Sequence, residues 1–249
     1  MSGHSKWASI KHKKAATDAK RGALFTKLIK EISIAARQGG GSMETNAALR
    51  TAVQKAKGSN MPSDNIDRAI KKGTGELPGV VYESIVYEGY GPGGVAILVE
   101  AVTDNKNRAS AEIRNIFSKK GGNMAGAGSV NWMFTKKGYI LIAKDASSEE
   151  ALMDIVINAG AEDMKVEGDS YEIISGPSDF EAVKQALSDN NIPTQTAELT
   201  MIPNSTVKVT GQSAGTLISL VETLEEHEDV QKVHANFDIP DEELEKASE

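Results

Sequence analysis

The apolar residues of this chain change their repeat near residue 75, and that change limits the fold more than any other feature. Before it they recur at helical spacing; after it, short β-rich runs alternate with helical stretches. Over 18–38, Leu24, Phe25, Leu28, Ile29, Ile32, Ala35 and Ala36 share one face, and Gly39, Gly40 and Gly41 stop the helix. A second helix fits 46–57, with Ala48, Leu49, Ala52 and Val53 inward and Gly58 as its stop. A third begins near Pro62, a residue suited to a first helical turn, and ends at Gly73. The stretch GTGELPG (73–79) reads as a linker.

Beyond the linker, 83–87 and 95–103 read as strands around the Gly/Pro turn GYGPGG (89–94), followed by a helix over 107–120 and a strand at 128–134. Next comes a complete β-α-β-β-α-β cycle: strand 139–143, helix 148–159, strands 163–167 and 171–175, helix 178–189, strand 195–202. A strand at 206–210, a helix at 213–228 and a strand at 231–237 then supply what the first series lacks. The expected architecture is α+β. It has an N-terminal three-helix domain (1–78, with its basic arm) and two ferredoxin-like α/β domains. One of these, 79–137 plus 204–241, is discontinuous, and the other, 138–203, is inserted in it.

Charge divides the same chain. The net value of −7 hides a basic first segment, with 15 Lys/Arg against 5 acids over 1–75, and an acidic last one, with 6 against 24 over 138–249. Residues 104–137 carry 7 bases and 2 acids. Such a chain can meet a polyanion with one end and stay soluble through the other. The basic residues that stand out are Lys6, Lys11, His12, Lys13 and Lys14 in an acid-free arm, where Trp7 offers a docking point. Lys20, Arg21, Lys27, Lys30 and Arg37 form a stripe along the first helix, with Arg50, Lys55, Lys57, Lys71 and Lys72 at further edges. Lys106 and Arg108 lie in the strand-to-helix turn TDNKNR (103–108). Phosphate contacts of this kind position a protein without reading base sequence, and no reading head with evident base-edge residues stands out. Nucleic acid is therefore the expected partner, DNA or RNA.

Other classes recede. No run of about 18 apolar residues offers a membrane span, and the charged N-terminus lacks the apolar stretch of a secretory signal. Zero cysteines remove disulfides, thiolate metal sites and a Cys nucleophile; a cytoplasmic protein is expected. Phe and Tyr together number ten, which argues against a rich aromatic stacking platform. GQSAG (211–215) fits G-x-S-x-G, and a serine hydrolase using Ser213 would need an acid and a His downstream on a large parallel sheet. Ser213 as the N-cap of helix 213–228 is the simpler reading. The glycine clusters at 90–94 and 121–128 lack the Lys-Ser/Thr of a phosphate loop, and His4, His12, His227 and His234 have no metal-ligand spacing. No enzyme activity, cofactor or metal is expected.

Several strings carry a resemblance. GHSKWASIKHKKAATDAKRGALFTKLIKEI (3–32), NMPSDNIDRAIKKG (60–73), YEGYGPGG (87–94), TDNKNR (103–108), GGN (121–123), GSVNWMF (128–134), AGAEDM (159–164) and ANFDIP (235–240) occur in the order found in the bacterial YebC/PmpR family, which the chain closely resembles. The resemblance implies a helical N-terminal domain and two α/β domains around a cleft. It also implies a role in gene expression, by binding promoter DNA. The alternative, as for related mitochondrial and bacterial members, is a role in translation on the ribosome, with ribosomal RNA and ribosomal proteins as partners. Carried over by position, Lys6, Trp7, Lys11, His12, Lys13, Lys14, Lys20, Arg21 and Lys27 would face the nucleic acid. Where many relatives have Asn-Pro-Arg-Leu, this chain has Asn46, Ala47, Ala48 and Leu49, so Arg50 is the nearest basic residue there.

Overall fold

The computed structural model describes residues 18–240 and 242–243, with side chains from residue 22 onward. The chain divides into two compact units, Met1–Trp132 with Ser205–Glu249, and Met133–Asn204. In chain order the first stretch contributes α1 (Asp18–Gly39), α2 (Ala47–Gly58), α3 (Ser63–Thr74), β1 (Glu83–Gly91), β2 (Val95–Thr103), α4 (Lys106–Lys119) and β3 (Asn123–Ala125). The second unit follows as β4 (Phe134–Ala143), α5 (Glu149–Asn158), β5 (Ala161–Glu167), β6 (Ser170–Ser175), α6 (Phe180–Asp189) and β7 (Thr196–Pro203). The chain then returns to the first unit with β8 (Val207–Lys208), α7 (Gln212–Glu226), β9 (Val230–Ala235) and β10 (Phe237–Asp238).

The three N-terminal helices close around their own core, in which Leu28, Ile32, Leu49, Val53 and Ile66 are filled in by Ala35, Ala36, Ala52, Ala56 and Ala69. Small residues let the helix axes approach, and Gly73 shows how closely. A Cβ there would stand 2.4 Å from the Ser33 carbonyl oxygen, inside any real contact distance. Asn46 ties two helix ends together. Its Oδ1 accepts from the Leu49 N–H (3.0 Å), capping α2, while its Nδ2 donates to the Ala35 and Gly40 carbonyls (both 2.8 Å) at the end of α1. Gly39 makes room for it, since a Cβ would lie 2.7 Å from the Asn46 side chain.

The sheet of the first unit has the order β3-β1-β2-β9 and is antiparallel throughout, its centre being the β1–β2 hairpin registered from Glu83↔Thr103 to Gly91↔Val95. Val95, Ile97, Val99 and Ala101 alternate onto one face and meet Ile113 and Phe117 of α4 and Leu217, Leu220, Val221 and Leu224 of α7. The second unit packs α5 and α6 on its sheet through Ile140, Ile142, Leu152, Val156, Ile173, Val183 and Leu187. Its order, β5-β6-β4-β7, places the first strand of the β-α-β-β-α-β cycle between the third and the fourth, the split arrangement that the sequence pattern predicts. The α+β fold class holds in both units.

One stretch differs from its expected form. GSVNWMF is a loop closed by a 3-10 turn (Asn131–Met133), and the strand begins at Phe134 and runs through Lys136 and Lys137 to Ala143. Gly126, Gly128, Ser129 and Asn131 are turn-forming residues, and they outweigh the β-rich letters that follow them.

Asn46 gives a testable contrast. Asn46→Ala removes a helix cap and leaves carbonyls of α1 without their donor, and should lower stability by about 2–4 kcal/mol in urea denaturation. Asn46→Asp retains the cap oxygen but not the two Nδ2 donations, and should fall between the two proteins.

Candidate nucleic-acid interface

The sequence-derived basic residues sort into three groups by where the fold puts them. Lys6, Trp7, Lys11, His12, Lys13 and Lys14 lie outside the described residues, and Lys20 and Arg21 sit on the first turn of α1 with their side chains outside that description.

The second group turns inward. Lys30 is 5% exposed and its ammonium lies 2.5 Å from Asp229, which is fully buried. The expected outward stripe of α1 therefore loses Lys30. Lys27, half-buried, donates to the Glu225 carbonyl (2.5 Å), and Lys30 donates also to the Glu228 carbonyl (3.0 Å). Both acceptors lie at the C-terminal end of α7, where carbonyls lack helical partners and the helix dipole favours cations. Apolar spacing identifies only the greasy face of a helix. Here α1 packs α2 and α3 with that face and reaches the end of α7 with two lysines.

Arg108 joins the same node. Its guanidinium bonds Asp229 (3.0 Å) and Asp104 (2.9 Å), and the Thr103 hydroxyl donates to Asp229 (3.0 Å). The irregular register of β2 on β9 between Glu100 and Ala101 brings Asp229 to this position, its carbonyl accepting from the Val102 N–H. Burial pushes the Asp229 carboxyl up, but the bonds from Lys30, Arg108 and Thr103 together hold it below the ordinary range. Lys106, exposed, pairs with Glu83, whose carboxyl is lowered by that bond.

Beside the node stands a set that sequence spacing did not indicate. Glu112, His227 and Asp229 bring their ligand atoms within 4.8 Å of one another. His227 Nδ1 accepts from the Asp229 N–H (3.1 Å), which leaves Nε2 to carry the proton toward Glu112 (2.9 Å). The positive charge that Asp229 needs is supplied by Lys30 and Arg108, so this cluster reads as part of the same clamp.

The third group stays outward. Arg37, Arg50, Lys71 and Lys72 are exposed, and so are Lys57 and Arg68. Arg50 bonds the Met43 and Glu44 carbonyls, tying down the α1–α2 connection, and Arg37 bonds the Tyr82 carbonyl. Lys55 pairs with Glu31, whereas among the described residues Lys57, Arg68, Lys71 and Lys72 have no acid in ion-pairing range. Arg37 and Lys72 line a cleft of about 360 Å³ whose other wall is the exposed Leu77, Val80 and Val81. The bundle thus presents cations on the last turns of α2 and α3 as well as at the end of α1. Arg68 was missed in the sequence; its place one residue before the buried Ala69 is the signal that would have found it.

Ser213 is not an N-cap. Gly211 takes that position, Ser213 lies exposed inside the first turn of α7, and His227 lies at the far end of that helix, roughly 20 Å away along its axis. His234, on β9, bonds Glu100. Among the described residues no helix is long and apolar enough to cross a membrane.

Comparison with known proteins agrees with this architecture. Residues 5–76 match a family model described as the TACO1/YebC protein N-terminal domain, and residues 82–237 match one described as the TACO1/YebC second and third domain. The chain belongs to the TACO1/YebC family. A relative from Desulfatibacillum aliphaticivorans is 57% identical over 97% of this chain and 98% of its own. One from Acidobacterium capsulatum is 58% identical over 96% and 97%. Both carry the name "Probable transcriptional regulatory protein". A crystal structure of a conserved hypothetical protein from Aquifex aeolicus, 46% identical, superposes with a TM-score of 0.82 over 91% of this chain and 94% of that one. The TACO1/YebC matches run through both the helical bundle and the sheets, so the clamp around Asp229 lies within them.

The clamp should respond to acid. The folded Asp229 carboxyl lies below its unfolded value of about 3.9, so its contribution to stability is present above that pH and is lost as pH falls through the folded value. Asp229→Asn leaves Lys30 buried without a counter-charge and should cost about 3–5 kcal/mol in urea denaturation at neutral pH. The gap between variant and parent should shrink below about pH 4.

Proposed function

We propose that this protein regulates gene expression by binding nucleic acid through the outward basic surface of its helical bundle together with the basic arm at residues 1–16, acting in the cytoplasm on the DNA of the genes it controls. The observation that carries this reading is the set Lys57, Arg68, Lys71 and Lys72, exposed and without acids in ion-pairing range among the described residues. Cations left unpaired on a surface are the ones able to replace the counterions of a phosphate backbone. Lys27, Lys30 and Arg108 already serve the fold, so they are the weakest members of the sequence-derived set. The names of the relatives support the transcriptional form of the reading.

A translational form rests on a separate observation. The unit Met133–Asn204 holds 13 acids against 5 bases. An acidic body repels bare DNA but complements basic ribosomal proteins, with the arm and bundle on ribosomal RNA. Ultraviolet crosslinking in growing cells, followed by sequencing of the attached nucleic acid, separates the two. Reads at discrete promoters support the first form, and reads concentrated on a few ribosomal RNA positions support the second.

Both forms make one shared prediction. Replacing Arg68, Lys71 and Lys72 with Ala should weaken binding to all sequences alike. It should also reduce the slope of log affinity against log salt by roughly 2–3 on duplex. An unchanged slope would place the phosphate contacts elsewhere.

A further inference from the structure

The segment between α3 and β1 carries apolar side chains in solvent. Leu77, Val80 and Val81 are 37%, 54% and 57% exposed, and all three line the cleft that Arg37 and Lys72 border. Single apolar residues scattered over a surface need no explanation, but three around one concavity with charge beside them have the composition of a ligand site. The cleft is held open by the fold. α3 stops at Gly75, whose φ is +84, and the Leu77 N–H returns to the Lys71 carbonyl (3.1 Å), so the chain turns back over the helix end. The Arg37 guanidinium fixes the far side by donating to the Tyr82 carbonyl (3.1 Å). Gly79 admits the stem of Lys72, since a Cβ there would stand 3.1 Å from the lysine Cγ.

The charge of the cleft has one sign. No acid lines it, and Glu76, the nearest in sequence, takes the Thr74 hydroxyl (3.0 Å). Neither Arg37 nor Lys72 has an acid in ion-pairing range among the described residues. Arg37 spends one N–H on Tyr82 and has others to offer. Lys72 also ends a row, because Arg68, Lys71 and Lys72 stand at i, i+3 and i+4 on the exposed face of α3. The volume, about 360 Å³, lies low in the range of ligand pockets, about 300–1,000 Å³. That is room for a nucleotide-sized group and too little for a partner helix about 10–12 Å across.

We infer that this cleft seats one unpaired nucleotide of the bound nucleic acid, with its base against Leu77, Val80 and Val81 and its phosphate held by Arg37 and Lys72. This rests on the nucleic-acid reading above and adds to it the form of the ligand. An apolar wall suits the flat face of a base, and a duplex hides its base faces, so the strand must be single or locally opened. The row along α3 fits a chain with an anion on every unit, which a strand has and an acidic peptide lacks.

The test uses the full chain and three end-labelled probes read by fluorescence anisotropy: a thymidine oligomer of about a dozen residues, an abasic strand of equal length, and a duplex of equal length. The parent should bind the thymidine oligomer roughly ten-fold tighter than the abasic strand. Val80→Ser with Val81→Ser should abolish that preference and leave affinity for the abasic strand and the duplex unchanged. Both valines are more than half exposed, so the double variant keeps the fold. A variant that keeps the preference would overturn the inference, as would one that weakens all three probes alike. A parent that binds the thymidine and abasic strands equally would overturn it too, leaving phosphate binding by the bundle intact and the cleft to an acidic peptide. Failure of the parent to bind any probe would overturn the broader reading along with the cleft.

Discussion

A fully buried aspartate cannot remain charged in a protein interior unless the interior supplies its counter-charge, and the first unit of this protein is arranged around that requirement. Asp229 carries its charge into the junction of β2, β9 and the end of α7, where Lys30 reaches it from α1, Arg108 from α4 and Thr103 from β2. Removing it from water carries a penalty of several kcal/mol, which is offset only when every donor is in place. That condition couples elements far apart in sequence. The helical bundle and the sheet have separate apolar cores, and the Lys30–Asp229 pair ties an element of one to an element of the other.

The clamp also decides what remains for function. A lysine that neutralises a buried carboxylate or caps a helix end is not available to a phosphate, so Lys27 and Lys30 belong to the architecture. Cations on the last turns of α2 and α3 have no such employment, and the bundle shows them outward. The two roles use the same residue types, and their separation follows from which side of α1 faces α7.

Much of the fold was legible in the sequence. Helical spacing located α1, α2 and α3, and the β-α-β-β-α-β pattern of the second unit led to its strand order. Such patterns record local burial, which a single element expresses by itself. The loop at 128–134 was not legible as a loop. Val130, Trp132 and Phe134 alternate as a strand would, but Glu88, some forty residues away, collects three amides of that segment and turns it. Ser213 was similarly displaced from its expected cap, because Gly211, at φ +62, makes the turn into α7 first.

The sequence by itself determined the kinds of element, their order and the family, since periodicity, turn residues and ordered motifs are properties of neighbours along a chain. It also determined that positive charge gathers in the first third. Tertiary structure decided which of those charges are spent. Lys30 and Asp229 are 199 residues apart, and Tyr90 and Trp132 meet at a carbonyl that belongs to neither. Electrostatic pairing and hydrogen bonding act over a few ångströms of space whatever the separation in sequence, so no local pattern could announce these meetings.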